Sequence, residues 1–206
     1  MHLDPKSLSA DETYKLLTGV VVPRPIAWVT TLSPSGGVNL APFSTFTFVS
    51  PKPPMLAFSV GQRDGVYKDT ARNIMANEQY VVHIADRPLI GAVHGSAIEY
   101  PPEVSETEML GLETAPSLHV KPPRIPAAPI AMECRLRQCL EFGETRSRLI
   151  VGEVVAFHFR DGLVNGGKID TKVLDPLCRL AGPNYATLGE IVAMQPIAQS
   201  VKKTVG

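Results

Sequence analysis

The chain has 206 residues, of which 44% are hydrophobic and 19% charged, enough for one sizeable core within the usual size of a single domain over residues 1–206. Its 20 Lys and Arg cancel its 20 Asp and Glu, so the basic excess that nucleic-acid or polybasic membrane contacts require is absent. No run approaches the roughly 20 apolar residues of a spanning helix, and the first residues lack the charged-then-apolar pattern of a secretory signal, so a cytoplasmic location is expected.

In chain order, residues 20–22 and 26–32 read as strand on β-branched and aromatic content, interrupted by Pro23 and Pro25. Ser33-Pro-Ser-Gly-Gly37 supplies a proline corner and glycines for positive φ, a hairpin turn into a return strand over 38–49. A third strand covers 55–60, a short helix 70–77 and a strand 80–84. Residues 88–94 are a second helical candidate. The stretch 100–129 is dense in prolines, with one short helix at 106–110, and is too long for an ordinary loop, so it is expected to cover something. Residues 130–140 and 149–160 are the late strands, followed by the turn Asp161-Gly162. Strands outnumber helices without regular alternation, which favours a mainly β, antiparallel barrel or sandwich with a few peripheral helices.

Cys134, Cys139 and Cys178 form no C-x-x-C pair, so neither a disulfide framework nor a zinc knuckle is signalled. The odd separation of Cys134 and Cys139 in one strand predicts that they face opposite sides. Reduced, packed thiols are expected.

Two segments stand out chemically. Asn39-Leu-Ala-Pro-Phe-Ser44 offers a proline-bent backbone and small hydroxyls suited to the edge of a flat ring. Lys68-Asp-Thr-Ala-Arg-Asn-Ile74 places a cation and hydroxyls where a helix begins. A helix start carries unpaired N–H groups and the positive end of the dipole, so an anion there is stabilised. Asp69 or Thr70 is expected at the N-cap, with Lys68 adding a point charge and Ser59 and Arg63 closing the other side. Taken singly, each segment has an ordinary alternative: a helix cap with a solvated lysine, and an edge strand bulged at a proline.

Other constellations are weaker. Gly162-Leu-Val-Asn-Gly-Gly-Lys168 has the spacing of a nucleotide P-loop, but Ile169 stands where the Mg²⁺-binding Ser or Thr belongs, and the segment reads as a turn. There is no Rossmann glycine fingerprint, no paired-histidine metal spacing and no hydrolase nucleophile motif. His83 and His158 lie in strands and read as structural.

In order along the chain, Arg24-Pro-Ile-Ala-Trp-Val-Thr30, Gly37-Val-Asn-Leu-Ala-Pro-Phe-Ser44, Pro53-Pro-Met55, Lys68-Asp-Thr70 with Asn73-Ile74, and Arg179-Leu-Ala-Gly182 with Tyr185 resemble the flavin reductase-like proteins of the FMN-binding split-barrel fold. The resemblance spans about residues 14–190. It implies a six-stranded antiparallel split β-barrel with Greek-key connections, a homodimer, and FMN near the subunit interface. Carried over to matching positions, Asn39, Leu40, Ala41, Pro42, Phe43, Ser44 and Thr45 would line the isoalloxazine ring. Ser59, Arg63, Lys68, Asp69 and Thr70 would surround the phosphate, and Arg24 would reach the cofactor unless it pairs with a carboxylate. Where the family often shows Arg-Leu-Gly-Gly, this chain has Arg179-Leu-Ala181-Gly182-Pro183, so the loop before Tyr185 serves either the flavin or the dimer interface. His94 is the histidine placed to contact a nicotinamide or relay a proton, against an ordinary structural role. The implied activity is NAD(P)H-dependent flavin reduction, with a flavin-consuming monooxygenase as a possible partner. The alternatives are an FMN electron carrier that does not use nicotinamide and a flavin-binding protein without turnover.

Overall fold

A computed structural model describes residues 2–101 and 103–195; residues 1, 102 and 196–206 of the expected domain lie outside the described residues. The N-terminal helix α1 (Ala10–Val20) starts at a capping box. Ser9 Oγ accepts from Glu12 N at 3.2 Å while the Glu12 carboxylate accepts from Ser9 N at 2.8 Å. This helix corrects the strand expected over 20–22: Val20 closes α1, and Val21 and Val22 belong to no strand. The local cap outweighs the β-branched preference of three valines.

The chain continues through β1 (Arg24–Pro25), β2 (Ala27–Leu32), the turn at Ser33–Gly37, β3 (Val38–Phe43), β4 (Phe46–Pro51) and β5 (Pro54–Val60). A small hairpin, β6 (Gln62–Arg63) and β7 (Val66–Tyr67), leads into α2 (Asp69–Asn77) and β8 (Gln79–Ile84). Helices α3 (Ile90–Gly95) and α4 (Glu106–Met109) precede the long hairpin of β9 (Ile130–Phe142) and β10 (Ser147–Phe159). The short pair β11 (Val164–Asn165) and β12 (Lys168–Ile169), helix α5 (Thr171–Leu174), β13 (Cys178–Arg179) and β14 (Tyr185–Ala186) complete it. The P-loop-like segment is therefore a hairpin, with Gly166 and Gly167 both at positive φ as a tight turn requires.

Seven strands form the main antiparallel sheet in the order β3-β2-β8-β9-β10-β5-β4. The architecture is the expected mainly β split barrel, and the seventh strand comes from one segment. Residues 38–49 divide at Ser44-Thr45, where the chain leaves one end of the sheet order and enters the other, so the two edges approach. Thr45 O accepts from Ser59 N at 2.9 Å at this crossing. Pro42 sits on edge strand β3, where a missing N–H is tolerated.

Strand β2 is buried on both faces. Ala27 and Val29 pack into the main core with Phe43, Phe58, Tyr80 and Ile150, while Ile26 and Trp28 join a second cluster with Leu40, Val93, Ile125 and Leu177. The second cluster exists because α3 and the 112–128 stretch cover that face. Trp28 Nε1 donates to Ser96 Oγ at 2.8 Å, fixing the end of α3. His83 is fully buried with Nδ1 at 2.9 Å from Trp28 O and Nε2 accepting from Ile125 N at 3.0 Å, and burial holds its imidazole down at about 4. Buried Glu133 accepts from Leu118 N at 2.7 Å and His119 N at 2.6 Å and lies 2.7 Å from His158 Nε2. Burial opposes its ionisation, but these contacts outweigh it and hold the carboxyl below its usual range.

Two side chains depart from simple alternation. Between Leu136↔Gly152 and Gln138↔Val151, strand β9 carries Arg137 as an extra residue, and the bulge reverses the phase. Cys134 and Cys139 consequently both pack on the main core, correcting the expected opposite faces; all three cysteines are free. Tyr80 lies against Gly152, where an added Cβ would fall 1.9 Å from the phenol oxygen, so only glycine admits the ring. No helix of the described residues is long and apolar enough to cross a membrane.

Candidate functional site

The first cleft, about 550 Å³, opens at the N-terminus of α2. Lys68 is the N-cap and offers no side-chain cap, so neither Asp69 nor Thr70 holds the N-cap position expected for one of them. Ala71 N and Arg72 N bond to Lys68 O, leaving the N–H groups of Asp69 and Thr70 without a partner among the described residues. Thr70 is buried, and its hydroxyl accepts from Asn39 Nδ2 at 3.0 Å, which ties α2 to strand β3. These free donors, the helix dipole and a cation suit a phosphate, and the volume suits a flat ring system beside it.

The opposite wall comes from α3 and the proline-rich stretch. Ser96 to Tyr100 line the cleft below the end of α3, and Glu106 enters from α4. Glu106 accepts from Leu40 N at 2.9 Å, and Ser105 Oγ donates to Val38 O at 2.8 Å. The long stretch therefore seals the outer edge of β3, satisfying backbone groups that an edge strand leaves bare. Burial raises the Glu106 carboxyl, and its backbone partner only partly offsets this.

Charge in this cleft is mostly committed. Three cations face four carboxylates, with Arg63 paired to Glu99 and Arg72 to Asp69. Lys68 alone of the three has no carboxylate partner among the described residues. For Arg63 to meet an anion, its exposed pair with Glu99 must open, a change that costs about 0.2–1 kcal/mol for surface pairs.

A second cleft of about 450 Å³ adjoins the first, and the two share Pro42, Lys68 and Ala97. It runs between α1 and the β13–β14 turn. Four cations, Lys15, Arg24, Lys68 and Arg179, face one carboxylate, Asp11, which pairs with Lys15 at 2.6 Å. Arg24 is buried, and its guanidinium donates to Thr18 O at 2.6 Å, Val21 O at 2.8 Å, Leu180 O at 3.0 Å and Ser44 Oγ at 3.2 Å. It pairs with no carboxylate among the described residues, and instead holds the negative end of α1 against the β13–β14 turn. Arg179 lies over the Tyr185 ring and donates to its hydroxyl at 2.5 Å; His94 Nδ1 is 3.2 Å from the same hydroxyl. Ala181 does not take a positive φ; Gly182 does, at 60°, so the alanine that departs from the family pattern costs the turn nothing.

Of the residues singled out in the sequence, Asn39, Ala41, Pro42, Phe43, Arg63, Lys68, Asp69 and Thr70 line the first cleft. Arg24, Pro42, Ser44, Lys68 and Tyr185 line the second. Leu40, Thr45 and Ser59 line neither: Leu40 is in the second core cluster, and Ser59 sits opposite Leu149 in the sheet. His94 reaches the second cleft only through Tyr185. Sequence reasoning missed Tyr14, Lys15 and Thr18, whose one signal was the Ser9-Ala-Asp-Glu12 capping box, and Glu99 and Glu106, which carry no local signal. Among the described residues no cluster of His, Cys, Asp and Glu is arranged for a metal.

Residues 19–173 match the family model described as flavin reductase like domain. The crystal structure of nitrilotriacetate monooxygenase component B from Bacillus cereus is similar at a TM-score of 0.91 and 37% identity, covering 94% of this chain and 98% of that one. That of 2-nitrobenzoate 2-nitroreductase NbaA from Pseudomonas fluorescens is similar at 0.88 and 33%, covering 96% and 97%. A putative flavin reductase with split barrel domain from Shewanella frigidimarina, at 0.84 and 20% identity over 96% and 100%, supports the fold alone. The match over most of its length and the two relatives above 30% identity place this chain in the flavin reductase like domain family.

Proposed function

We propose that the protein is a flavin-binding oxidoreductase that takes FMN in the first cleft and reduces it with NADH or NADPH. The observation that carries this is the start of α2: two unpartnered N–H groups, an unpaired Lys68 and the Thr70 hydroxyl held by Asn39, in a cleft large enough for a flat ring. Bound flavin supplies two-electron chemistry, accepting hydride from a reduced nicotinamide and passing electrons onward. The chain's own task is to hold the phosphate at α2, to lay the ring along β3, and to exclude water with the wall over residues 96–106. The Tyr185–His94 pair offers an exchangeable proton at the far side of Pro42.

The protein is further proposed to act as a homodimer with the flavin near the interface. Helix α1 buries none of its residues in the isolated chain while exposing Tyr14, Leu17 and Val20, and β4 exposes Phe48 and Val49. Apolar surface of this kind calls for a partner. A relative named as component B of a monooxygenase favours delivery of reduced flavin to a monooxygenase. A relative named as a nitroreductase favours a second reading, in which an acceptor is reduced at the bound flavin itself, and the adjoining second cleft gives that acceptor a place.

The test is one preparation carried through three measurements: flavin retained on purification, oxidation of NADH and NADPH with and without added FMN, and mass in solution. Tight FMN binding with nicotinamide oxidation and a dimer mass is expected. Bound FMN with neither nicotinamide oxidised leaves an electron carrier, and no flavin binding at all overturns the reading.

A further inference from the structure

We propose that the second cleft is a separate subsite for the carboxylate of a small aromatic acid. Its place in catalysis, as the seat of an acceptor, rests on the proposed function; the binding itself does not. The argument begins with charge. The first cleft spends two of its three cations on carboxylates and shares the third, Lys68, with the second; the second spends one of its four, Lys15, and besides Lys68 leaves both guanidinium groups, Arg24 and Arg179, without a carboxylate among the described residues. A buried guanidinium with only carbonyl and hydroxyl acceptors has its hydrogen bonds met but its charge uncompensated, so an anion nearby is stabilised.

Arg179 supplies the recognition. Of the five guanidinium N–H donors, one is given to Tyr185 and one to Gly182 O at 2.7 Å, leaving three on a planar fork that these two bonds hold over the tyrosine ring. Such a fork matches the two oxygens of a carboxylate, where a lysine would not. The rest of the lining determines what carries the carboxylate. Tyr14 and Tyr185 give aromatic walls and Ile26 and Pro42 apolar ones, in a volume of about 450 Å³ that accepts a substituted benzene ring. The shared border at Pro42 and Ala97 puts that ring beside whatever lies along β3 in the first cleft.

The test is calorimetric titration of the flavin-free protein at low salt with benzoate and with its neutral isostere benzamide. Benzoate should bind and benzamide should not, and benzoate affinity should fall as salt rises. Arg179→Gln should weaken benzoate by about tenfold or more, the loss of a charge-assisted pair. Lys15→Gln lies on the exposed face of α1, where folding is not at stake, and should weaken it about two- to threefold through lost long-range charge. Equal binding of benzoate and benzamide, or unchanged benzoate affinity in both variants, overturns the subsite. So does one-for-one displacement of benzoate by FMN, which would put the anion in the first cleft. Charge-dependent benzoate binding in a protein that binds no flavin upholds the subsite and sinks the proposed function instead.

Discussion

The cleft at α2 and the cleft at α1 share a border and nearly the same number of cations, yet they offer an incoming anion different things. At α2 the guanidinium groups of Arg63 and Arg72 are already paired, and what remains free is backbone: the first N–H groups of a helix, one lysine and one buried hydroxyl. At α1 the guanidinium groups of Arg24 and Arg179 meet, among the described residues, only carbonyls and hydroxyls, with no carboxylate to compensate their charge. Counting basic residues does not locate an anion site; what each one is already bound to does. The first arrangement suits a phosphate at a fixed helix end, the second a planar carboxylate on a fork.

The largest expected effect tests the first cleft directly. Replacing Lys68 and Thr70 together by alanine should weaken FMN by about a hundredfold or more, since each charge-assisted hydrogen bond contributes roughly 1.5–3 kcal/mol. Equilibrium titration of the folded double variant measures it, and unchanged affinity would remove the phosphate from α2.

Acid should distinguish the clefts next. His83 accepts from Ile125 N and so anchors the far end of the proline-rich stretch whose Tyr100 and Glu106 line the first cleft, and burial lowers its pKa from 6.5 to about 4. The unfolded chain therefore takes up the proton first. The stability contributed by neutral His83 is complete above about pH 6.5 and is lost as pH falls toward 4, by about 3 kcal/mol at 1.36 kcal/mol per unit. The protection factor of the Ile125 amide, its exchange referred to the intrinsic rate at each pH, should fall in that window before those of α1 amides respond. A flat profile from pH 7 to 4 would break the link.

Arg24→Gln should act on the second cleft instead. Losing the ties to Thr18, Val21 and Leu180 is expected to cost about 1.5–3 kcal/mol, read as a lowered denaturation midpoint with α1 loosened first. Glu99→Gln is the smallest change: freeing Arg63 should tighten FMN by no more than about fivefold, given the modest strength of an exposed pair. Weaker FMN binding in that variant would show that Glu99 helps hold the flavin.

The barrel was largely legible in the chain because its strands announce themselves locally: the turn at residues 33–37, the apolar runs into β5 and β8, and the hairpin of β9 and β10 all follow from residue type and spacing. The division of 38–49 at Ser44-Thr45 was not, since it depends on Thr45 O meeting Ser59 N across the sheet. The shared core face of Cys134 and Cys139 required the bulge at Arg137, which only the pairing with β10 reveals. In the site, a helix start just after Lys68 was visible from sequence, though its cap falls on Lys68 and not on Asp69 or Thr70, while the carboxylates of Glu99 and Glu106 arrive from the segment after α3 and from α4, whose path no local pattern dictates. Three valines at 20–22 pointed to strand, and a capping box eleven residues earlier made Val20 the end of a helix.

The most direct test of the account compares FMN with riboflavin, which differ by the phosphate alone, on the wild-type protein and on Lys68→Ala/Thr70→Ala. If α2 holds the phosphate, the wild type should prefer FMN by about a hundredfold or more, and the variant, which keeps only the backbone N–H groups and the helix dipole, should lose most of that preference. A preference for FMN that survives intact in the folded variant would contradict the account.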